Sequence, residues 1–251
     1  MKLTFLGTGT STGNPQLLCN CAVCMSKDPK DNRLRTSVYI EDEGISILVD
    51  CGPDFRQQAL RARIRQINAV ILTHEHYDHV GGMDDLRPFC SFKELPVYGF
   101  KRVLDKIKVI LPYSFAENPY QGVPLFQLNP VTMKPFFVNH LEVIPIELMH
   151  HRLPVLGFRI GDMAYLTDYN HIEQSEIDKL YHLKILIVDA LRTEKHISHN
   201  TLQQALDLID AVNPEKAYLI HMSHQMGLHR EVDISLPEHV QLAYDGFVID
   251  I

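Results

Sequence analysis

Short apolar runs alternate with amphipathic stretches along this chain, and the later runs end on ionisable residues. Residues 2–6 read as a strand that stops at Gly7-Thr8-Gly9. Residues 37–40 and 45–49 read as a hairpin about Glu41-Asp42-Glu43-Gly44. Residues 55–67 carry a helical period. Leu60 and Ile64 are four apart, as are Arg61 and Arg65, which makes the arginines a solvated face. Residues 68–72 form a short buried strand, 82–89 a short helix, 96–98 a strand and 101–111 an amphipathic helix. Residues 112–128 break the rhythm with three prolines among Tyr113, Phe115, Tyr120 and Phe126. That segment reads as a lid over a pocket or as a long connection. From Phe136 strands dominate, over 141–148, 155–160, 163–166, 185–188, 217–220, 240–243 and 247–251. Helices are expected over 175–180 and from His199 through Val212.

The run 69–72 ends in Thr73-His74-Glu75-His76-Tyr77-Asp78-His79, followed by Gly81-Gly82. Unpaired polar groups at the end of a buried strand cost about 1–3 kcal/mol each. A metal removes that cost: imidazole is the commonest ligand for a borderline cation, and aspartate adds a hard oxygen. The same grammar recurs at His150, Asp168, Asp189 and His221. Strand ends along one sheet edge converge, so these positions suggest one shared site. Asp50 also ends an apolar strand. It reads as a residue that orients a ligating histidine, or as a cap or turn residue like Asp54.

Composition narrows the class. The chain has 251 residues, 45% hydrophobic, with a formal net charge of −7 and a pI of about 6.0. Bulk capture of DNA or RNA is disfavoured by that balance. No run reaches the length of a membrane span, and the first residues are glycine-broken too early for a signal peptide, so a cytoplasmic protein is expected. Five cysteines, an odd number unevenly spread, do not form a disulfide framework. Three of them, Cys19-x-Cys21-x-x-Cys24, have the spacing of a thiolate metal site whose fourth ligand comes from elsewhere. Cys51 and Cys90 read as buried thiols. The Gly7–Gly13 loop offers backbone N–H groups to an anion but lacks the lysine of a P-loop.

With these residues in place the chain resembles the metallo-β-lactamase superfamily, on His74-x-His76-x-Asp78-His79 with His150, Asp168 and His221. The resemblance covers the chain as a single domain, 1–251. It implies an α/β fold, the αββα four-layer sandwich, with a dinuclear centre at one sheet edge. His74, His76 and His150 would hold one ion; Asp78, His79 and His221 the other; Asp168 would bridge. His76 stands where the diiron redox branch has glutamate, which implies zinc, or manganese, and hydrolysis. His151 adjoins His150, and either fits the motif.

A closer similarity, to the phosphoribosyl cyclic phosphate phosphodiesterases of bacterial phosphonate breakdown, rests on Cys19, Cys21 and Cys24 with His221-Met222-Ser223-His224. It implies a third, structural zinc completed by His224. It also implies a phosphate-assisting histidine, His196 or His199, and hydrolysis of a small phosphodiester by a metal-bridging hydroxide near Asp78. A homodimer is implied; DNA and membrane partners are not. Thioester, lactone and RNA 3′-end hydrolysis occur on the same fold, and a non-catalytic zinc sensor is the reading outside it.

Overall fold

In the computed structural model, which describes residues 1–90 and 93–251, two mixed sheets lie face to face. The strands are β1 (Lys2–Gly7), β2 (Ser37–Asp42), β3 (Ile45–Val49), β4 (Ala69–Ile71), β5 (Leu95–Phe100), β6 (Phe126–Val131), β7 (Phe136–Val138) and β8 (Leu141–His150). They continue with β9 (Leu153–Ile160), β10 (Met163–Leu166), β11 (His171–Ile172), β12 (Ile185–Asp189), β13 (Lys216–Ile220), β14 (Val240–Leu242) and β15 (Val248–Asp250). The helices are α1 (Phe55–Ala62), α2 (Tyr77–Val80), α3 (Lys101–Ile110), α4 (Gln174–Ile177), α5 (Leu202–Val212) and α6 (His229–Asp233).

Sheet one runs β15-β1-β2-β3-β4-β5-β6, and sheet two β11-β8-β9-β10-β12-β13-β14 with β7 on β8. Pairing is antiparallel on one side of each sheet and parallel on the other, from β3 to β6 and from β10 to β14. The parallel strands therefore deliver their C-terminal ends to one rim.

Alternation along each strand assigns its layer. In β12, Ile185 and Ile187 enter the core between the sheets, with Phe5, Ile47 and Ile71 from sheet one. Leu186 and Val188 face the other way, onto Ala205, Ile209 and Val212 of α5. On sheet one, Leu48, Val70 and Val97 face outward onto Phe55, Val103, Leu104 and Ile107 of α1 and α3. The result is the αββα sandwich.

Two expectations need correcting, the extent of the helix from Phe55 and the start of the helix after His199. The helix from Phe55 stops at Ala62, because Arg63 takes a left-handed conformation (φ 54°) and closes it. Leu60 and Ile64 consequently do not share a face: Leu60 is exposed and Ile64 buried. Residues 112–125 pack outside sheet one, where Tyr113 donates to Asp84 (2.6 Å) and Phe115 stands beside Phe126 of β6. Among the described residues no hydrogen bond, ion pair or ring contact joins that segment to the histidines; Pro119, Tyr120 and Val123 instead line a cavity with Arg87 and Cys90. The helix after His199 begins only at Leu202, where Thr201 and Gln204 form a capping box.

Candidate metal centre

Three turns that serve the cluster share a backbone feature. Asp50 follows β3, Asp168 follows β10 and His221 follows β13, and all three are left-handed, with φ of 59°, 53° and 59°. An L-residue there is strained by about 1–2 kcal/mol. The turn swings each side chain off its strand axis into the space between the two sheets. The edges are stitched there: Met222 N–H donates to the Thr8 carbonyl and Thr10 N–H to the Met222 carbonyl. Glycines let α2 press in from the side. A Cβ on Gly52 would lie 2.0 Å from the Asp78 carbonyl, and one on Gly82 2.0 Å from the Gly52 carbonyl. That close approach brings Asp78 and His79 over the end of β3.

The cluster this builds is buried. His74, His79 and His221 are wholly inaccessible and Asp168 nearly so. The His74 and His76 ring centroids are 4.6 Å apart, and His150 lies 5.1 Å from His76. His79 Nε2 is 3.2 Å from Asp78 Oδ2 and 3.1 Å from Asp168 Oδ2; His221 Nε2 is 3.2 Å from Asp168 Oδ1. Asp168 Oδ1 is also 3.9 Å from His74 Nε2 and from His199 Nδ1. One carboxylate thus faces both histidine groups. His150 belongs to the cluster; His151 is exposed, with its backbone N–H on Asn170.

The ring tautomers follow from the neighbours. Asp50 accepts from Thr73 N–H (2.8 Å), from the Thr73 hydroxyl (2.8 Å) and from His79 Nδ1 (2.7 Å). With its proton committed to Asp50, Thr73 Oγ1 accepts from His74 Nδ1 (3.0 Å). His150 Nδ1 donates to the Ser198 carbonyl (2.9 Å). In His74 and His150 the Nδ1 proton is therefore fixed and the bare Nε2 lone pair turns inward, while His79 has its Nδ1 directed to Asp50 and its Nε2 to the carboxylates. Burial holds His74 well below the usual imidazole range and His150 down to about 4, so both stay neutral. Burial opposes charge on His79 too, but Asp168, Asp78 and Asp50 around it raise it well above that range.

His79 Nε2, both nitrogens of His221 and Asp189 Oδ1 are buried without a hydrogen-bond partner among the described residues. Inward imidazole lone pairs facing carboxylate oxygens fit divalent cations, which satisfy both at once.

Asp189, at the end of β12, joins the shared site from behind the histidines. It is fully buried, 3.4 Å from His199 Nδ1 and 3.7 Å from His221 Nδ1. His199 stacks on His221 at 4.9 Å. His196 stands outside, half-buried, 5.1 Å from His199. Asp54 does not cap α1; its carboxylate takes the Arg35 guanidinium and backbone N–H instead.

The second cluster is Cys19, Cys21, Cys24 and His224, whose ligand atoms lie within 4.8 Å of one another. His224 Nδ1 is 3.3 Å from both Cys19 Sγ and Cys21 Sγ. Backbone N–H groups of Gln16 and Cys24 point at Cys24 Sγ and Cys21 Sγ. The Cys24 N–H and His224 draw the Cys21 thiol down to about 6. Thiolate sulfurs with N–H donors behind them fit a closed tetrahedral zinc site. Arg192 spans from here to the histidine loop, donating to Gln225 Oε1 and to the carbonyls of Glu194 and Lys195.

Comparison with known proteins agrees with this architecture. Residues 46–222 match the Beta-lactamase superfamily domain. An octanoyltransferase of Porphyromonas gingivalis is 49% identical over 249 residues, 98% of this chain and 51% of that protein. A ribonuclease Z of Crocosphaera subtropica is 28% identical over 168 residues, 64% of this chain and 48% of that protein. The chain thus spans about half the length of these sequence relatives. Among solved structures, a diphosphatase from the PhnP family superposes with a TM-score of 0.93 at 36% identity, covering 99% of this chain and 96% of that one. No helix among the described residues is long and apolar enough to cross a membrane.

Proposed function

Because the chain belongs to the beta-lactamase superfamily, we propose that it is a dinuclear metal-dependent phosphodiesterase acting on a cyclic phosphate or nucleotide phosphodiester. The observation that carries this reading is the single buried carboxylate, Asp168, facing two groups of inward imidazole nitrogens. His74, His76 and His150 would hold one ion and Asp78, His79 and His221 the other, zinc or manganese, with Asp168 between them. Such a pair, when bound, supplies Lewis acidity at phosphoryl oxygens and lowers the pKa of water toward about 7.

The protein's own residues do the rest. Asp50, Thr73 and the Ser198 carbonyl keep the Nδ1 protons in place, so the Nε2 lone pairs never turn away. Asp189 fixes the His199 ring against His221. His199 is then the group that takes charge from the phosphoryl oxygens or returns a proton to the leaving alkoxide. We assign that role to His199 over His196, which stands one ring further out. Asp78 stays ionised: burial opposes this, but His79 and His221 hold its carboxyl far below the usual range. Cys19, Cys21, Cys24 and His224 would hold a separate structural zinc.

The similarity to a PhnP-family diphosphatase supports phosphorus chemistry. The test is turnover of bis-p-nitrophenyl phosphate, cyclic nucleotides and cyclic ribose phosphates by metal-loaded protein, abolished in Asp168→Ala. Absence of turnover on all three in metal-loaded wild type overturns the reading. The octanoyltransferase relative favours a second one, hydrolysis of an acyl thioester. Cleavage of octanoyl-coenzyme A with none of the phosphodiesters would establish that instead.

A further inference from the structure

A cleft of about 500 Å3 opens on the outer side of sheet one, between β1, β2 and the turn after α1. The metal centre uses none of its residues. Its floor is apolar: Leu6, Tyr39 and Ile64 are buried there. The Tyr39 hydroxyl is already committed to the Gln66 carbonyl (2.7 Å), so the ring offers only its apolar body. The rim is mostly cationic, with Lys2, Arg61, Arg63 and Arg65 against one carboxylate, Glu41.

Two of these cations have partners. Lys2 pairs with Glu41 at 2.5 Å, and Arg61 with Asp245 at 3.3 Å. Arg63 and Arg65 are exposed, and their guanidinium groups have no hydrogen bond, ion pair or ring contact among the described residues. In a chain of net charge −7, carboxylates are plentiful, yet none answers this pair. Arg63 also occupies the left-handed position that ends α1 (φ 54°), where glycine or asparagine is preferred. An arginine held in a strained position, beside a second unpaired arginine, over a preformed apolar floor, has the chemistry of a ligand site. The guanidinium fork matches phosphate oxygens two at a time.

We propose that this cleft binds a phosphorylated small molecule of nucleotide size, its phosphate on Arg63 and Arg65 and its organic part over Tyr39 and Ile64. A bare inorganic anion would use the rim and leave the floor empty; an uncharged molecule would leave the rim unanswered. The site lies apart from the metal centre, so its occupancy is independent of the phosphodiesterase reading.

Isothermal titration of the metal-loaded protein with AMP tests this. The expected result is one AMP per chain outside the metal centre, with affinity unchanged in Asp168→Asn. The double variant Arg63→Gly/Arg65→Ala is expected to bind AMP at least tenfold more weakly. Its melting temperature should not fall, because glycine suits the left-handed turn. Pyrophosphate should bind more weakly than AMP. The proposal is overturned if AMP fails to bind at millimolar concentration, if the double variant binds as wild type does, or if binding disappears in Asp168→Asn. Pyrophosphate binding as tightly as AMP removes the role of the apolar floor and overturns it equally.

Discussion

The two ligand clusters are built on opposite principles. The histidine–aspartate cluster sits on the ends of strands from both sheets, and its imidazoles are fixed by Asp50, Thr73 and Ser198. The cysteine cluster sits on a stretch without helix or strand, flanked by the exposed Leu17, Leu18 and Met25. Between Gln16 and Ser26 the backbone makes few hydrogen bonds of its own: Cys19 to Gln16, Met25 to Cys21 and Ser26 to Val23. The first cluster is organised by the fold. The second lies on a loop held to the body of the protein by the His224 contacts of Cys19 and Cys21 and, at its ends, by Asn14 with Arg33 and Ser26 with Asp31. On the proposed reading, a metal at the first site would add chemistry and a metal at the second would add structure.

Four experiments press on that contrast. The largest effect is expected from Asp168→Ala, which removes the carboxylate shared by both histidine groups. Phosphodiester turnover should fall at least about 1,000-fold, roughly 4 kcal/mol of barrier, while metal analysis still finds the ion at the cysteine site. Loss of that ion too would mean the clusters are not separate. Asp50→Asn comes next. It keeps the size of the group but removes the charge that anchors His79, and should cost about 10–100-fold in activity or metal affinity. Equal activity in the variant would show that Asp50 fixes nothing. Cys21→Ser should release one metal per chain and expose residues 15–26 to protease, with a smaller loss of turnover. An unchanged metal count would remove the thiolate site.

The smallest effect is a pH dependence behind the cysteine loop. His229 is buried, and its Nδ1 accepts from Arg33 at 2.9 Å. Burial, then the Arg33 charge, lowers it from 6.5 to about 4. The unfolded chain therefore binds its proton first, and stability contributed by this group declines as pH falls from about 6.5 toward 4. Urea midpoints at pH 7 and pH 5 should differ more in wild type than in His229→Gln. An equal difference in both would take His229 out of the acid response.

Much of the histidine cluster was legible because apolar runs mark strands and the polar residue after each run marks an end. His74, His76, His79, Asp168 and His221 all follow that rule. Asp189 follows it too, but nothing in the sequence said that it would face His199 and His221, since that contact depends on the register of β12 with β13. The early stop of α1 was hidden because Arg63 carries no sequence signal for a left-handed residue. The start of α5 is written in Thr201-x-x-Gln204, the pattern of a capping box two residues beyond His199. The aromatic residues of 112–128 suggested a lid or a connection; that Tyr113, Phe115 and Phe126 join the core under α3 while Tyr120 stays exposed could not be read without the sheet order.

The left-handed turns at Asp50, Asp168 and His221 limit how far this protein can be made more robust. Glycine would relax each backbone, yet each side chain is one the cluster cannot spare. Laboratory evolution toward heat tolerance is therefore expected to leave these three alone. It should find its gains at the left-handed residues with no such duty, Glu43 in the first hairpin and His182 before β12. Glycine there should raise the melting temperature by about 2–4 °C per kcal/mol recovered. Heat tolerance gained in that way would leave the metal centre untouched.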